Sequence, residues 1–404
     1  MTEAVRQSLD HCVKCTICET YCPVSNVTDL FPGPKYVGPQ AERYRDGEVS
    51  PDDSLDLCSG CGICTQVCPQ GVHIAEINAR ARAGLKERSG IPLRDRVLAR
   101  PTVTGRLGTP VAPLANWALA NPAVRWGLEK TVGVHRSAPL PRLAGRSFQR
   151  WAQHHRRREG TRTVAYFHGC STNYYEPRLG EMTVAVLEHN GMSVEIPRQD
   201  CCGLPLQSNG AFEAARACVR RLCAHLAPHA RAGRDIVATS TSCGLMLKRE
   251  ANEILGLEDA DLGATSARMF DVCEYLLDLH EAGELRTDFE PLELTVVYHA
   301  PCQQRGHGIG KPALDLLALV PGLTVIELDF ECCGIAGTYG LKREKYGIGM
   351  DVGRGLFAAV SGARADVAAC DSETCRWQIT HGSGVDSVHP VELLFRAYGL
   401  EAQS

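Results

Sequence analysis

Eight cysteines near the start of the chain fall into one pattern written twice. It reads Cys12-x2-Cys15-x2-Cys18-x3-Cys22-Pro23 and then, some 35 residues further on, Cys58-x2-Cys61-x2-Cys64-x3-Cys68-Pro69. Four converging thiolates are what a [4Fe–4S] cube requires. In paired runs of this spacing three ligands come from one run, and the cysteine before the proline crosses to the other cluster. This assigns Cys12, Cys15, Cys18 and Cys68 to one cluster, and Cys58, Cys61, Cys64 and Cys22 to the other. Structural zinc uses one or two CxxC pairs and predicts neither the further cysteines nor the repetition. Two cubane clusters are expected, with iron as the metal.

A second constellation lies downstream. Cys170, Cys201-Cys202-Gly203 and Cys243 are followed by Cys302, Cys332-Cys333-Gly334 and Cys375, at offsets of 132, 131 and 132 residues. Three matching offsets imply an internal duplication.

The elements that must position these cysteines follow the same repeat. Strands are expected at Thr163–His168, Ser193–Ile196 and Asp235–Thr239, with helices opened by Pro177 (to about His189) and running from Ala211 to His225. The second copy repeats this with strands at Leu294–His299 and Thr324–Leu328, a helix opened by Pro312, and Ala365–Ala368 preceding Ser372-Glu-Thr-Cys375. Alternating strands and helices predict two small α/β domains with parallel strands. Cysteines at strand ends and helix starts would gather on one edge of each sheet, where ligands bind. Helix N-termini also favour the thiolate. Near the N-terminus, helices are expected over Thr2–Asp10, Ala41–Arg45 and Ile74–Ala83, with Phe31–Pro39 as loop.

Composition narrows the class. The chain has 404 residues, 20 of them Cys, with 44% hydrophobic and 22% charged residues and a net charge of −4. Met1 is followed by Thr-Glu-Ala-Val-Arg-Gln, which is no secretory leader, so these cysteines predict metal in a reducing cytoplasm rather than disulfides. Residues 80–160 stand apart: 17 Lys or Arg face 4 Asp or Glu, a local net of +13, and Trp117, Trp126 and Trp151 lie there. A short helix is expected from Pro113 through Trp117 to Ala120. Basic residues with interleaved Trp suit an anionic membrane surface; a solvated linker that docks onto the other domains fits equally well. Leu107–Val124 is uncharged but broken by Pro110, Pro113 and Pro122, so it is not read as a span. Nothing else supports nucleic-acid binding, and no Walker A, GxSxG, CxxCH, flavin or nicotinamide motif occurs.

The motif Cys…Cys-Cys-Gly…Cys resembles the CCG, or cysteine-rich, domain of heterodisulfide reductases and related iron–sulfur subunits. In complete copies, that resemblance implies five cysteines around a non-cubane [4Fe–4S] cluster. A two-cluster ferredoxin domain followed by two CCG domains resembles the C-subunit family of anaerobic glycerol-3-phosphate dehydrogenases. So do the stretches Phe31-Pro-Gly-Pro-Lys35, Phe167-His-Gly-Cys170, Val297-Tyr-His-Ala-Pro-Cys302, Cys332-Cys-Gly-Ile-Ala-Gly-Thr-Tyr-Gly340 and Cys375-Arg-Trp-Gln-Ile379. The expected fold is α+β and multidomain. A helical two-cluster ferredoxin domain spans 1–90 and a basic linker or docking segment 91–160, with tandem α/β CCG domains over 161–290 and 291–404.

The resemblance implies an electron-transfer subunit with no catalytic residue of its own. It would pass electrons from a partner subunit carrying FAD, which oxidises sn-glycerol 3-phosphate to dihydroxyacetone phosphate, to menaquinone. The setting would be the cytoplasmic face of the cell membrane, where the chain is peripheral. Two departures bear on this. Ser240 and Ser372 stand where the leading cysteine of each CxxC is expected, leaving Cys170, Cys201, Cys202 and Cys243 for a first further cluster and Cys302, Cys332, Cys333 and Cys375 for a second. Cys370, on the strand side, is a further thiol near the second set. Serine is a harder, more basic donor that suits iron poorly, which argues against the alternative of a thiol-disulfide reductase. A subunit of a glycolate or lactate oxidase shares the layout with weaker local matches. Cys218, Cys223 and Cys273 are read as core residues, and His168 and His299, beside Cys170 and Cys302, as structural histidines.

Overall fold

The computed structural model describes residues 3–45 and 52–401. In the N-terminal part, Glu3–Ser8 is helical, while Thr2 of the expected helix lies outside the described residues. Two one-turn helices, Ile17–Thr20 and Ile63–Gln66, carry Cys18 and Cys64 as their second residues. Helix Ile74–Ser89 ties the two runs together. Its Ile74 and Ile77 pack with Val5, Cys18, Cys64 and Val72, while Ala81 lies against a separate group containing Cys22, Phe31 and Leu55. The helical turn expected at Ala41–Arg45 starts earlier: Tyr36–Gln40, mostly within the stretch read as loop, is helical with a kink at Gly38, and Ala41 and Glu42 continue it.

Residues 93–131 are largely helical, and the short helix expected from Pro113 to Ala120 is present as Ala112–Ala120. Helices run over Leu93–Leu98, Pro101–Gly108, Ala112–Ala120, Pro122–Thr131 and Phe148–Ala152. Proline near the first position starts three of them, and Asn121 caps Pro122–Thr131 by accepting from the amides of Ala123 and Val124. The segment is fastened to the C-terminal half through Asp95 with Lys342 at 3.0 Å and Arg94 with Glu344 at 2.7 Å, while the Arg125 guanidinium binds the carbonyls of Arg136 and Ala138 within it.

Two four-stranded parallel sheets follow. The first has order β2-β1-β3-β4, from Arg162–Phe167 (β1), Met192–Glu195 (β2), Asp235–Ala238 (β3) and Met269–Asp271 (β4). The second has order β6-β5-β7-β8, from Leu294–His299 (β5), Leu323–Leu328 (β6), Val367–Ala369 (β7) and Ser387–Val388 (β8). Val164, Ala165, Tyr166 and Phe167 have no exposed surface, as a central parallel strand covered on both faces requires. The sheets share one core, in which Tyr166 and Val237 of the first join Val296 and Tyr298 of the second. Helix Pro177–His189 has the expected bounds, whereas the helix expected to end at His225 is Phe212–Arg231.

Candidate iron–sulfur sites

Each cysteine run bends around its centre through two left-handed residues at matching positions. They are Lys14 (φ 59°) and Thr16 (φ 68°) in the first run, and Gly60 (φ 73°) and Gly62 (φ 82°) in the second. Glycine adopts this conformation freely; lysine and β-branched threonine hold it only where the surroundings impose it. Wrapping the peptide around a cube supplies such a constraint.

Cys18 lies near Cys12, Cys15 and Cys68, and Cys64 near Cys22, Cys58 and Cys61. Burial first, then the charges of Glu19, Cys68, Cys12 and Cys15, pushes Cys18 up to about 11. Burial and then Cys61, Cys58 and Cys22 push Cys64 up. Crowded buried thiols that disfavour one another's ionisation are a ready site for a cationic centre. Among the described residues, the sets whose ligand atoms all lie within 4.8 Å are His73–Glu76–Glu253 and Asp271–Cys273–Asp371, and no motif cysteine belongs to either.

In the two CCG domains the cysteines stand beyond the C-terminal ends of the strands. Cys170 and Cys302 follow β1 and β5, and Cys243 and Cys375 lie in the first turns of Thr241–Leu245 and Glu373–Ser383. The glycine of each Cys-Cys-Gly is forced. Gly203 (φ 88°) and Gly334 (φ 87°) are left-handed, and a Cβ would meet Ala215 O at 2.9 Å or Gly349 O at 1.9 Å. Their amides donate to Cys201 Sγ at 3.4 Å and Cys332 Sγ at 3.3 Å. The thiols of Cys170 and Cys302 also hydrogen-bond these sulfurs, so Cys201 and Cys332 are held well below the usual thiol range. In the second quartet Cys333 Sγ lies 3.1 Å from Cys375 Sγ, and the fully buried Cys370 hydrogen-bonds Cys375.

The two serines act differently from ligands. Ser240 Oγ accepts from the Cys243 amide at 3.4 Å as a helix cap, and donates to Glu373 Oε1 at 3.3 Å. The Ser372 hydroxyl lies 3.5 Å from Thr374 Oγ1 and hydrogen-bonds the Cys375 thiol. Cys218, Cys223 and Cys273 pack within hydrophobic clusters. His168 and His299 are buried, and burial keeps both neutral, His168 at about 4. His168 Nδ1 meets the Gly169 carbonyl at 2.7 Å, while His299 has no hydrogen-bond partner on either ring nitrogen.

One cavity of about 370 Å³ joins these sites. Cys58 and Cys61 lie on one wall, Cys170, Cys202 and Cys243 on another, and Cys302, Cys332, Cys333 and Cys375 on a third. Its lining is mostly apolar and reaches Val97, Leu98 and Leu119 of the basic segment. The sequence marks the cysteines but not Glu373, Glu250 or the aromatic residues Tyr175 and Trp377 that complete the walls. Glu373 and Trp377 flank Cys375, the one signal that could have pointed to them.

Comparison with known proteins agrees with this layout. Residues 8–72 match the 4Fe-4S dicluster domain, and residues 164–248 and 296–380 match the cysteine-rich CCG domain. The C-subunit of the anaerobic glycerol-3-phosphate dehydrogenase of Escherichia coli K12 is 35% identical over 402 residues, covering 96% of this chain and 98% of that one. The chain belongs to this C-subunit family. More distant similarity extends to the D-subunit of a dihydromethanophenazine:CoB–CoM heterodisulfide reductase of Methanosarcina barkeri, 23% identical over 99% of this chain and 96% of the relative. It also reaches lactate utilization protein A 1 of Bacillus mycoides, 26% identical over 44% of this chain and 73% of the relative. The chain is an iron–sulfur electron-transfer protein. No helix among the described residues is long and apolar enough to cross a membrane.

Proposed function

We propose that this chain is the electron-transferring subunit of a membrane-associated glycerol-3-phosphate dehydrogenase. It would receive electrons from a flavin-bearing partner that oxidises sn-glycerol 3-phosphate, and deliver them to a quinone such as menaquinone. The carrying observation is continuity: Cys61 of the second run packs against Cys302 and Cys332 of the second CCG domain in one buried cluster. Iron–sulfur clusters, when bound, supply one-electron redox chemistry at these thiols. The chain's own part is to hold the sulfurs, keep water out and set the spacing between sites. The apolar cavity beside them is of a size that takes a small organic acceptor.

The membrane reading rests on the surface of the basic segment. Val103, Leu107, Val111, Leu114, Trp117 and Trp126 all point outward, Leu107 with 71% of its surface exposed and Trp117 with 64%. Exposed apolar side chains on short helices, within a segment that carries many Lys and Arg, suit the cytoplasmic face of an anionic bilayer. Direct thiol-disulfide reduction, the alternative suggested by the heterodisulfide reductase relative, is disfavoured by Ser240 and Ser372.

Reconstitution with the flavin partner tests this reading. Glycerol 3-phosphate should reduce a menaquinone analogue, and Cys61→Ala should abolish that transfer while the partner still reduces a soluble dye. Quinone reduction that proceeds unchanged without this chain would refute it.

A further inference from the structure

The duplication loses its symmetry at Glu373. This residue begins helix Glu373–Ser383 of the second CCG domain, yet its carboxylate crosses into the first. Glu373 Oε1 accepts from Ser171 Oγ at 3.0 Å and from Ser240 Oγ at 3.3 Å. Ser171 follows Cys170 directly, and Ser240 stands where a fifth cysteine is expected. Glu373 lines the same cavity as Cys170, Cys202 and Cys243, and is itself only 9% exposed. The matching position in the first copy, 132 residues earlier, is Thr241, whose backbone carbonyl meets His307 Nε2 at 2.7 Å. The first domain therefore returns no carboxylate from that position to the second.

We propose that Glu373 is an iron ligand of the first CCG site, its carboxylate standing in for the missing fifth thiolate. This rests on reading Cys170, Cys201, Cys202 and Cys243 as an iron–sulfur site. Iron accepts carboxylate oxygen as well as sulfur, and a carboxylate can offer it two oxygen donors where a serine offers one hydroxyl. The two serine hydroxyls pin Oε1 and leave Oε2 as the donor. Ser240 is then a positioning residue that aims the carboxylate rather than a ligand. The second domain completes the first domain's site, so loading of that site depends on the docking of the two.

The test uses the full chain purified without oxygen, as wild type and as the Glu373→Gln, Glu373→Ala and Glu373→Ala/Ser240→Cys variants. Iron and sulfide content and EPR and Mössbauer spectra are read, with the two cubes as an internal measure that each variant is folded. Gln keeps an acceptor for both serines but removes the anionic donor, so it separates ligation from tethering. The expected result is cube signals as in the wild type, a shifted first-site spectrum in Glu373→Gln, and loss of that site's iron in Glu373→Ala. The iron should return in the double variant, where Ser240→Cys supplies a thiolate. Wild-type iron and an unshifted spectrum in Glu373→Gln would overturn the proposal and leave Glu373 a tether between domains. If Cys170→Ala and Cys243→Ala remove no iron, the iron–sulfur reading of this quartet fails, and the ligand role fails with it.

Discussion

Gln66 donates its side-chain Nε2–H to the backbone carbonyl of Cys302 at 3.4 Å. This hydrogen bond joins the helix of the second cysteine run to the first turn of the second CCG site. Beside it Ile63, fully buried, fills the space between Cys61, Cys302 and Cys332. Gln66→Ala should cost about 1 kcal/mol of stability, and Ile63→Ala about 2–5 kcal/mol with a cavity left behind. Both should slow reduction of the second CCG site in rapid-freeze EPR after mixing with reduced partner, with total iron unchanged. Equal rates in all three proteins would show that electrons do not pass by this contact.

Gly334 makes a second prediction. A methyl group at this left-handed residue would overlap Gly349 O at 1.9 Å, whereas at Gly203 it would meet Ala215 O at 2.9 Å. The left-handed conformation costs roughly 1–2 kcal/mol for alanine, and overpacking roughly 1–3 more. Gly334→Ala should therefore destabilise the chain more than Gly203→Ala, and strip iron from the second CCG site while both cubes remain. Similar thermal shifts for the two variants would contradict this ranking.

Much of this was legible because some signals are local. Pro177 and Pro312 fix helix starts, the apolar run before Cys170 is a covered strand, and the cysteine offsets reveal the duplication. The misses are of other kinds. Strands β4 and β8 have three and two residues, too few to carry a periodicity. In the segment 91–160 only the helix around Trp117 is expected; the others are short, and several apolar residues face outward, so the usual inward stripe is missing. Ser240 is visible as a missing cysteine, but its partner Glu373 lies 133 residues away in sequence. No local rule connects the two.

Glu250 gives a pH prediction. Burial, then the charge of Glu76, with Glu253 adding and Arg249 opposing, pushes its carboxyl up to about 8 from an ordinary value of 4.5. The folded chain then holds this proton more tightly than the unfolded chain does. Its contribution to stability is full below about pH 4.5 and is lost as pH rises through 8. Glu250→Gln should gain stability over the wild type at pH 9 relative to pH 6, read as the urea midpoint with iron content held constant. A difference between the two proteins that does not change with pH would show that Glu250 is not protonated in the folded state.

The outward apolar face makes the last prediction. Leu114 and Trp117 lie on helix Ala112–Ala120, with 65% and 64% of their surface exposed. Burying two such side chains even partly in a bilayer interface is worth roughly 2–3 kcal/mol, and basic residues near anionic lipid add about 1 kcal/mol each. Leu114→Glu/Trp117→Glu should weaken co-sedimentation with phosphatidylglycerol-containing vesicles by tenfold or more, and added salt should weaken wild-type binding further. Because both side chains are exposed, cluster content and dye reduction through the partner should stay at wild-type levels, and only quinone reduction in the membrane should fall. Unchanged vesicle binding, together with lost affinity for the flavin subunits, would assign this face to the partner instead of the lipid.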